Sequence, residues 1–141
     1  MKCLAVFRCI ALVLGVLAGT AGNAQDTAPP RVDLVYFGTS SCLVCSGWKR
    51  FDCPKLAGNA SFKKVHFTEV TKSIKSPIPS ASDFPPEIAG YRDAIAESFH
   101  GAIGSPMFAL LVNGVAVDSW RGLDRGNDQL LAEVDKALAS R

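Results

Sequence analysis

Hydrophobic and polar positions along the chain predict an α/β domain built on four strands. The first predicted strand is an apolar run with a single polar residue, which is typical of a buried strand. The second strand alternates between polar and apolar residues. Asn113-Gly114, the dipeptide most typical of a tight hairpin, joins the last two. The predicted strands are residues 32–37, 64–70, 107–112 and 115–120.

Apolar residues spaced three or four positions apart predict three helices. The first begins near Cys42 and passes through Trp48 and Phe51. Pro54 favours an end close by, because proline lacks an amide donor and disfavours helical geometry at Cys53 before it. The apolar positions of the second helix are Ile88, Tyr91, Ile95 and Phe99, and those of the third are Leu130, Leu131, Val134 and Leu138.

The resulting element order is β-α-β-α-β-β-α, which predicts an α/β fold with a mixed central sheet of about four strands and helices on both faces. A loop over residues 72–86, which holds four prolines and several serines, is inserted before the second helix. Its length indicates either a functional flap or a disordered segment. We expect one compact domain over residues 32–141, preceded by a polar lead-in over residues 25–31.

Residues 1–24 have the pattern of an export signal. Lys2 and Arg8 supply positive charge, and the apolar stretch 10–18 has nine residues. That stretch is too short to span a bilayer, which takes about 20 residues. Gly22-Asn23-Ala24 offers the small residues that a signal peptidase recognises, so we expect cleavage after Ala24. An uncleaved anchor is the alternative. The expected location is the periplasm or the extracellular space, with no stable membrane insertion after cleavage.

The charge balance argues against nucleic acid as a partner. Of the 15 basic residues, Lys2 and Arg8 lie in the signal, so 13 basic residues remain against 13 acidic ones. The charge is uneven, because residues 49–75 hold seven basic and two acidic residues. We interpret this basic zone as a solvated helix face; the alternative is that it favours a thiolate or attracts acidic partners.

Two of the three cysteines beyond residue 24 form the tetrapeptide Cys42-Leu43-Val44-Cys45 at the start of the first helix. This spacing brings both sulfurs to one end of the helix, where unpaired N–H groups and the helix dipole favour a thiolate. A dithiol of this kind attacks a disulfide and resolves the mixed disulfide with its second sulfur. The sequence therefore indicates thiol–disulfide exchange. Cys53 lies about 16 Å further along a continuous helix, too far for a disulfide to Cys42, and is expected to be a free thiol.

Two motifs and the element order resemble the thioredoxin family over residues 32–138. The Cys-x-x-Cys motif follows the first strand. Gly104-Ser105-Pro106-Met107-Phe108 is similar to the Gly-Thr-Pro-Thr-Phe pattern of thioredoxins, and an apolar strand and an Asn-Gly turn follow it. Gly122 falls where thioredoxins carry a glycine before the last helix. The resemblance implies a thioredoxin-like fold and a protein thiol–disulfide oxidoreductase that needs no cofactor.

The resemblance also implies roles for four residues. Cys42 matches the exposed nucleophile, and Cys45 matches the buried resolving cysteine. Pro106 matches the cis-proline that faces the dithiol, and Ser105 before it offers backbone groups to an extended substrate peptide. The implied partners are protein or small-molecule disulfides and dithiols, together with a redox partner that recycles the dithiol.

The chain departs from the thioredoxin pattern near the motif. Tyr36 stands six residues before the first cysteine, where thioredoxins keep a buried acid, so the acid is missing or comes from another strand. Glu69 is an accessory candidate for that role, with a surface position at a strand end as the alternative. Trp48 is a second accessory candidate, for substrate stacking, and core packing is its alternative. Leu43-Val44 replaces Gly-Pro. These departures favour a specialised exported relative over a general thioredoxin.

Two other functions would use the same cysteines. A copper or zinc site would need further ligands, for which His66 and His100 are the candidates. A closed zinc site takes four ligands, usually with a second closely spaced pair that this sequence lacks, so no metal is expected. Alternatively, the domain is a non-catalytic binding module in which Cys42 and Cys45 form a structural disulfide.

Overall fold

The computed structural model of the chain describes residues 28–140. The predicted export signal over residues 1–24 lies outside the described residues, as does residue 141. In the part that the structure describes, no helix has the length and hydrophobicity needed to cross a membrane.

A mixed sheet of four strands forms the centre of the fold and confirms the predicted class. Its strands are β1 Val32–Gly38, β2 His66–Thr71, β3 Met107–Val112 and β4 Val115–Arg121. The strand order is β2-β1-β3-β4, with β1 parallel to β2 and antiparallel to β3. β3 and β4 form the predicted hairpin, in which Asn113 and Gly114 have φ values of 50° and 81°. Positive φ at both positions is what a two-residue type I′ turn requires.

Five α-helices within residues 28–140 cover the two faces of the sheet. They are α1 Leu43–Gly47, α2 Cys53–Ala57, α3 Pro86–Ala89, α4 Arg92–Ser98 and α5 Asn127–Ala139. Alternate residues of β1 point to opposite faces, so Tyr36 belongs to one core and Phe37 to the other. Leu56 of α2 and Leu130 of α5 pack with Tyr36, whereas Ile95 of α4 packs with Phe37. The dithiol lies in the first of these cores.

The first helical segment continues past Pro54 and ends at Ala57, which agrees with the predicted end close to this proline. Residues Trp48–Asp52 form a π-helical turn between α1 and α2, and the Cys53 N–H donates to the Trp48 carbonyl. Cys53 keeps helical dihedrals, with φ −55° and ψ −42°. Pro54 lies in the first turn of α2, where a missing N–H and a fixed φ are tolerated. Pro54 has no N–H to donate, and the wider π-helical turn before it accommodates this missing hydrogen bond.

The proline-rich loop between β2 and α3 packs on the sheet, which disagrees with the disordered alternative, whereas a role as a functional flap stays a prediction. Ile78 and Phe84 are buried in the same core as Phe37, and the Phe37 and Phe84 ring centroids are 5.8 Å apart. Arg92 donates from Nε to the Pro79 carbonyl at 2.9 Å and from Nη2 to the Ile78 carbonyl at 3.2 Å. These contacts hold the loop against the face of the sheet on which Phe37 lies.

Candidate functional site

The two cysteines of the motif lie where the chain leaves β1 and enters α1. Cys42 has extended dihedrals and caps α1, and its Sγ accepts a 3.2 Å hydrogen bond from the Cys45 N–H. The two Cα atoms are 5.2 Å apart, and the sulfurs are joined in a disulfide. Because the N–H at this helix start faces Sγ, it stabilises a Cys42 thiolate when the disulfide is reduced.

Cys42 is buried, which differs from the exposed nucleophile that the resemblance implied. Cys42 exposes 5% of its surface and Cys45 exposes 1%. Leu43 and Val44 between them are exposed, Leu43 at 88%. The difference arises because the loop before β3 lies over the motif, with the Ser105 carbonyl oxygen 3.6 Å from Cys42 Sγ. Cys42 remains the more accessible residue of the two, by a small margin.

Ser105 contacts both sulfurs of the disulfide. Its Oγ lies 3.2 Å from Cys45 Sγ and 3.5 Å from the Phe37 carbonyl oxygen. A disulfide sulfur and a carbonyl oxygen only accept, so the single hydroxyl hydrogen of Ser105 has two acceptors, of which Cys45 Sγ is the nearer. The Ser105–Pro106 peptide bond is cis, and Pro106 is buried beside the end of β1. The structure therefore brings together the four residues to which the resemblance gave roles.

Tyr36 is buried in the core beneath the motif, and its hydroxyl has no hydrogen-bond partner among the described residues. The side chain extends over Gly38, where an added Cβ would lie 2.4 Å from the hydroxyl oxygen, so this close approach requires glycine. Burial, with smaller contributions from Glu69 and Cys53, raises the pKa of Tyr36 to about 12. The hydroxyl is therefore neutral at physiological pH and cannot replace the carboxylate of a buried acid as a proton acceptor.

Trp48 belongs to the core. Its ring stacks on Tyr36 with centroids 4.8 Å apart and meets Phe108 edge-on at 5.1 Å. Only 4% of its surface is exposed. These contacts agree with the core-packing alternative, because a side chain covered in this way presents no face on which a substrate can stack.

Glu69 lies beside Tyr36 in the register of β1 and β2, but its hydrogen-bond partner is Lys49. The two side chains form an ion pair that remains partly exposed, with 48% of Lys49 and 38% of Glu69 accessible. The pair borders an open polar cavity of about 500 Å³. The other residues around the cavity are Thr39, Ser40, Ser46, Arg50 and Thr71. Glu69 thus pairs with Lys49 and makes no hydrogen bond to either sulfur.

Solved structures with the same architecture are thioredoxins. A thioredoxin variant from Halobacterium salinarum superposes with a TM-score of 0.50 at 17% identity, covering 79% of this chain and 78% of its own. The periplasmic thioredoxin SoxS from Paracoccus pantotrophus in its reduced form has a TM-score of 0.49 at 14% identity, covering 77% and 96%. Chlamydomonas reinhardtii thioredoxin f2 has a TM-score of 0.48 at 17% identity, covering 82% and 86%.

The chain has the thioredoxin fold. No protein-family model and no curated protein matches its sequence. At this level of identity the likeness concerns the fold, so the assignment of chemistry rests on the residues of the site.

Among the described residues, Cys53, His66 and His100 do not join the disulfide in a cluster. Cys53 is a half-buried free thiol. Burial and the neighbouring Glu69 raise its pKa, while Lys49 lowers it to a smaller extent. Within residues 28–140, no three His, Cys, Asp or Glu side chains cluster closely enough to hold a metal ion. His66 and His100, the candidate ligands, are not brought to the cysteine pair.

Lys72 is a residue near the site that the sequence analysis missed. It follows β2 directly and is buried, and its Nζ donates to the Gly104 carbonyl at 2.7 Å, one residue before Ser105. A lysine at a strand end ordinarily points to solvent, so neither its type nor its spacing distinguishes it in the sequence. Only the fold brings it to the loop that lies over the dithiol.

Proposed function

We propose that this chain is an exported thiol–disulfide oxidoreductase that exchanges disulfides with protein substrates through Cys42 and Cys45. The observation that carries the proposal is the cysteine pair at a helix start, where the Cys45 N–H donates to Cys42 Sγ. The thioredoxin fold supports it. The export signal expected over residues 1–24 supports a location in the periplasm or outside the cell, where disulfides persist.

Reduction of a substrate begins with the Cys42 thiolate. It bonds to one substrate sulfur, and the other substrate sulfur leaves with the electron pair and takes a proton. Cys45, once deprotonated, then bonds to Cys42 Sγ and releases the substrate sulfur to which Cys42 was bonded. Two electrons pass from the dithiol to the substrate, and the Cys42–Cys45 disulfide forms. A dithiol partner restores the dithiol by the same steps in reverse.

Ser105 and Pro106 complete the site in this proposal. The cis peptide bond before Pro106 presents the Ser105 backbone beside Cys42, where an extended substrate peptide can pair with it. The Ser105 hydroxyl faces Cys45 Sγ at 3.2 Å. It can therefore donate to this sulfur at the moment when an incoming thiolate opens the disulfide at Cys42.

Exposed apolar residues around the disulfide favour protein substrates. Leu43 and Val44 lie between the two cysteines, and Ile103, with 48% of its surface exposed, lies two residues before Ser105. Exposed apolar side chains grouped at a site are typical of protein interaction surfaces. We therefore propose that the substrate carries apolar side chains next to the disulfide that is exchanged.

Insulin reduction, combined with a redox titration against glutathione, tests the proposal. The wild-type protein should accelerate insulin reduction by dithiothreitol, and the Cys42–Cys45 pair should titrate as one two-electron couple. Cys53→Ser is the matched control and should behave as wild type, whereas Cys42→Ser should be inactive. An uncatalysed rate with wild-type protein, or a pair that stays oxidised throughout the titration, would instead indicate a binding module with a structural disulfide.

A further inference from the structure

Lys72 extends the pairing of β1 and β2 by one residue. It does so at the carboxyl ends of these strands, where β1 leads to the dithiol. Its backbone N–H donates to the Gly38 carbonyl at 3.0 Å, directly after the Gly38–Thr71 pair. Its side chain turns inward, and only 5% of the residue is exposed. The buried amino group thus lies beside the segment that leads from β1 to Cys42.

The amino group of Lys72 is satisfied by main-chain carbonyls. Nζ donates to Ser73 at 2.9 Å and to Gly104 at 2.7 Å. Within the described part of the chain no carboxylate forms an ion pair with it. Burial lowers the pKa of Lys72. A buried amine is costly unless its hydrogen bonds are made, so these two bonds fix the side chain and the carbonyls it holds.

The bond to Gly104 fixes the segment that contacts the sulfurs. The Gly104 carbonyl belongs to the same planar peptide group as the Ser105 nitrogen, so holding the carbonyl orients Ser105. Gly104 has a φ of 137°, which side-chain-bearing residues rarely adopt, and the segment therefore depends on both glycine and its anchor. Ser105 follows with Oγ 3.2 Å from Cys45 Sγ and its carbonyl oxygen 3.6 Å from Cys42 Sγ.

We infer that Lys72 is a positioning residue for disulfide exchange, because its bond to the Gly104 carbonyl holds the Ser105 hydroxyl against Cys45 Sγ. The inference rests on the proposed function. When an incoming thiolate bonds to Cys42 Sγ, the Cys42–Cys45 bond breaks and its electron pair moves to Cys45 Sγ, which later takes a proton. The hydroxyl donates to this sulfur as negative charge develops, and a donor oriented in advance is most effective.

The competing explanation is that Lys72 only ties the loop over residues 72–86 to the sheet. Hydrogen bonds that only hold the loop would contribute to the stability of the fold and leave the reactivity of the two sulfurs unchanged. The two explanations differ in whether the effect of Lys72 depends on the Ser105 hydroxyl, and a double-mutant cycle measures this dependence.

The experiment measures the rate constant for reduction of the Cys42–Cys45 disulfide by dithiothreitol, with acid quench and mass spectrometry. Lys72→Met retains an unbranched apolar chain without the donor and should lower the rate constant about tenfold, the loss expected when a hydrogen bond to a developing charge is weakened. Lys75→Met removes an exposed lysine of the same loop and should change the rate constant less than about twofold. Circular dichroism establishes that each variant is folded.

Ser105→Ala supplies the second arm of the cycle. If Lys72 acts through the hydroxyl, Lys72→Met should change the rate constant of the Ser105→Ala protein less than about twofold. An unchanged rate constant in Lys72→Met alone, or an equal loss with and without Ser105, overturns the inference and leaves a structural tie. If Lys72→Met does not fold, Lys72→Gln takes its place. The glutamine side chain is shorter, so its amide does not reach the Gly104 carbonyl, and we expect the same loss of rate.

Dithiothreitol separates this inference from the proposed function. A wild-type protein that is reduced by dithiothreitol but does not accelerate insulin reduction contradicts the proposed function. The comparison of Lys72→Met with Lys75→Met still decides the role of Lys72 in that case, because it requires only the opening of the Cys42–Cys45 disulfide.

Discussion

Replacing Tyr36 with phenylalanine removes a buried hydroxyl that lacks a hydrogen-bond partner among the described residues. A buried polar group that is left unpaired costs about 1–3 kcal/mol relative to a paired or hydrated one. The Tyr36 ring stays in place in the variant, because its contacts with Trp48 and Phe108 are made by ring atoms. The hydroxyl also fills space over Gly38, so we expect the lower end of this range.

Tyr36→Phe should therefore raise the free energy of unfolding of the oxidised protein by about 1 kcal/mol. For a domain of this size, the midpoint of thermal unfolding should rise by about 4 °C. Urea unfolding followed by circular dichroism measures the change, with an unchanged dependence on denaturant as the test of two-state behaviour. Tyr91→Phe is the matched control and should stay within about 0.5 kcal/mol of wild type. A Tyr36→Phe protein that is less stable than wild type would refute the reasoning, since the hydroxyl must then have a partner in solution.

Three further predictions follow from the same geometry. Because burial raises the pKa of Tyr36 to about 12, wild-type stability should fall as the pH rises from about 10 to 12, by on the order of 2 kcal/mol more than in Tyr36→Phe. Glu69→Gln should lower the free energy of unfolding by less than about 1 kcal/mol, because the ion pair with Lys49 is partly exposed; urea unfolding measures it. The Cys42–Cys45 couple should be more oxidising than the roughly −270 mV of thioredoxin. The Cys45 N–H favours the Cys42 thiolate and neutral Tyr36 replaces an acid, so the reduced protein is stabilised. A titrated potential at or below roughly −270 mV contradicts this prediction.

Local patterns predicted the architecture and the position of the cysteine pair. Asn113-Gly114 identifies its turn because only a few residue types tolerate positive φ at both positions. Cys42 and Cys45 could be placed at a helix start because an apolar strand, small residues and a helical pattern follow one another in the sequence. In each case, neighbouring residues determine the local conformation.

Features that depend on distant contacts were not predictable in this way. The burial of Cys42 depends on Ser105, which is 63 residues away in the chain. The packing of the proline-rich loop depends on Ile78 and Phe84 reaching the core around Phe37. Lys72 gains its partner from Gly104, 32 residues later. A sequence pattern describes the residues near each position and carries no information on these tertiary partners.

Trapping of mixed disulfides tests the central claim most directly. Cys45→Ser leaves Cys42 to attack a substrate but removes the sulfur that resolves the intermediate, so this variant should accumulate mixed disulfides with insulin or with exported proteins. Cys42→Ser should accumulate none, because Cys45 is the more buried residue and because Cys42 caps the helix and its Sγ accepts the Cys45 N–H. Non-reducing electrophoresis and mass spectrometry of the linked peptides identify the cysteine involved. Equal trapping by both variants, or by neither, would contradict Cys42 as the attacking sulfur of a thiol–disulfide oxidoreductase.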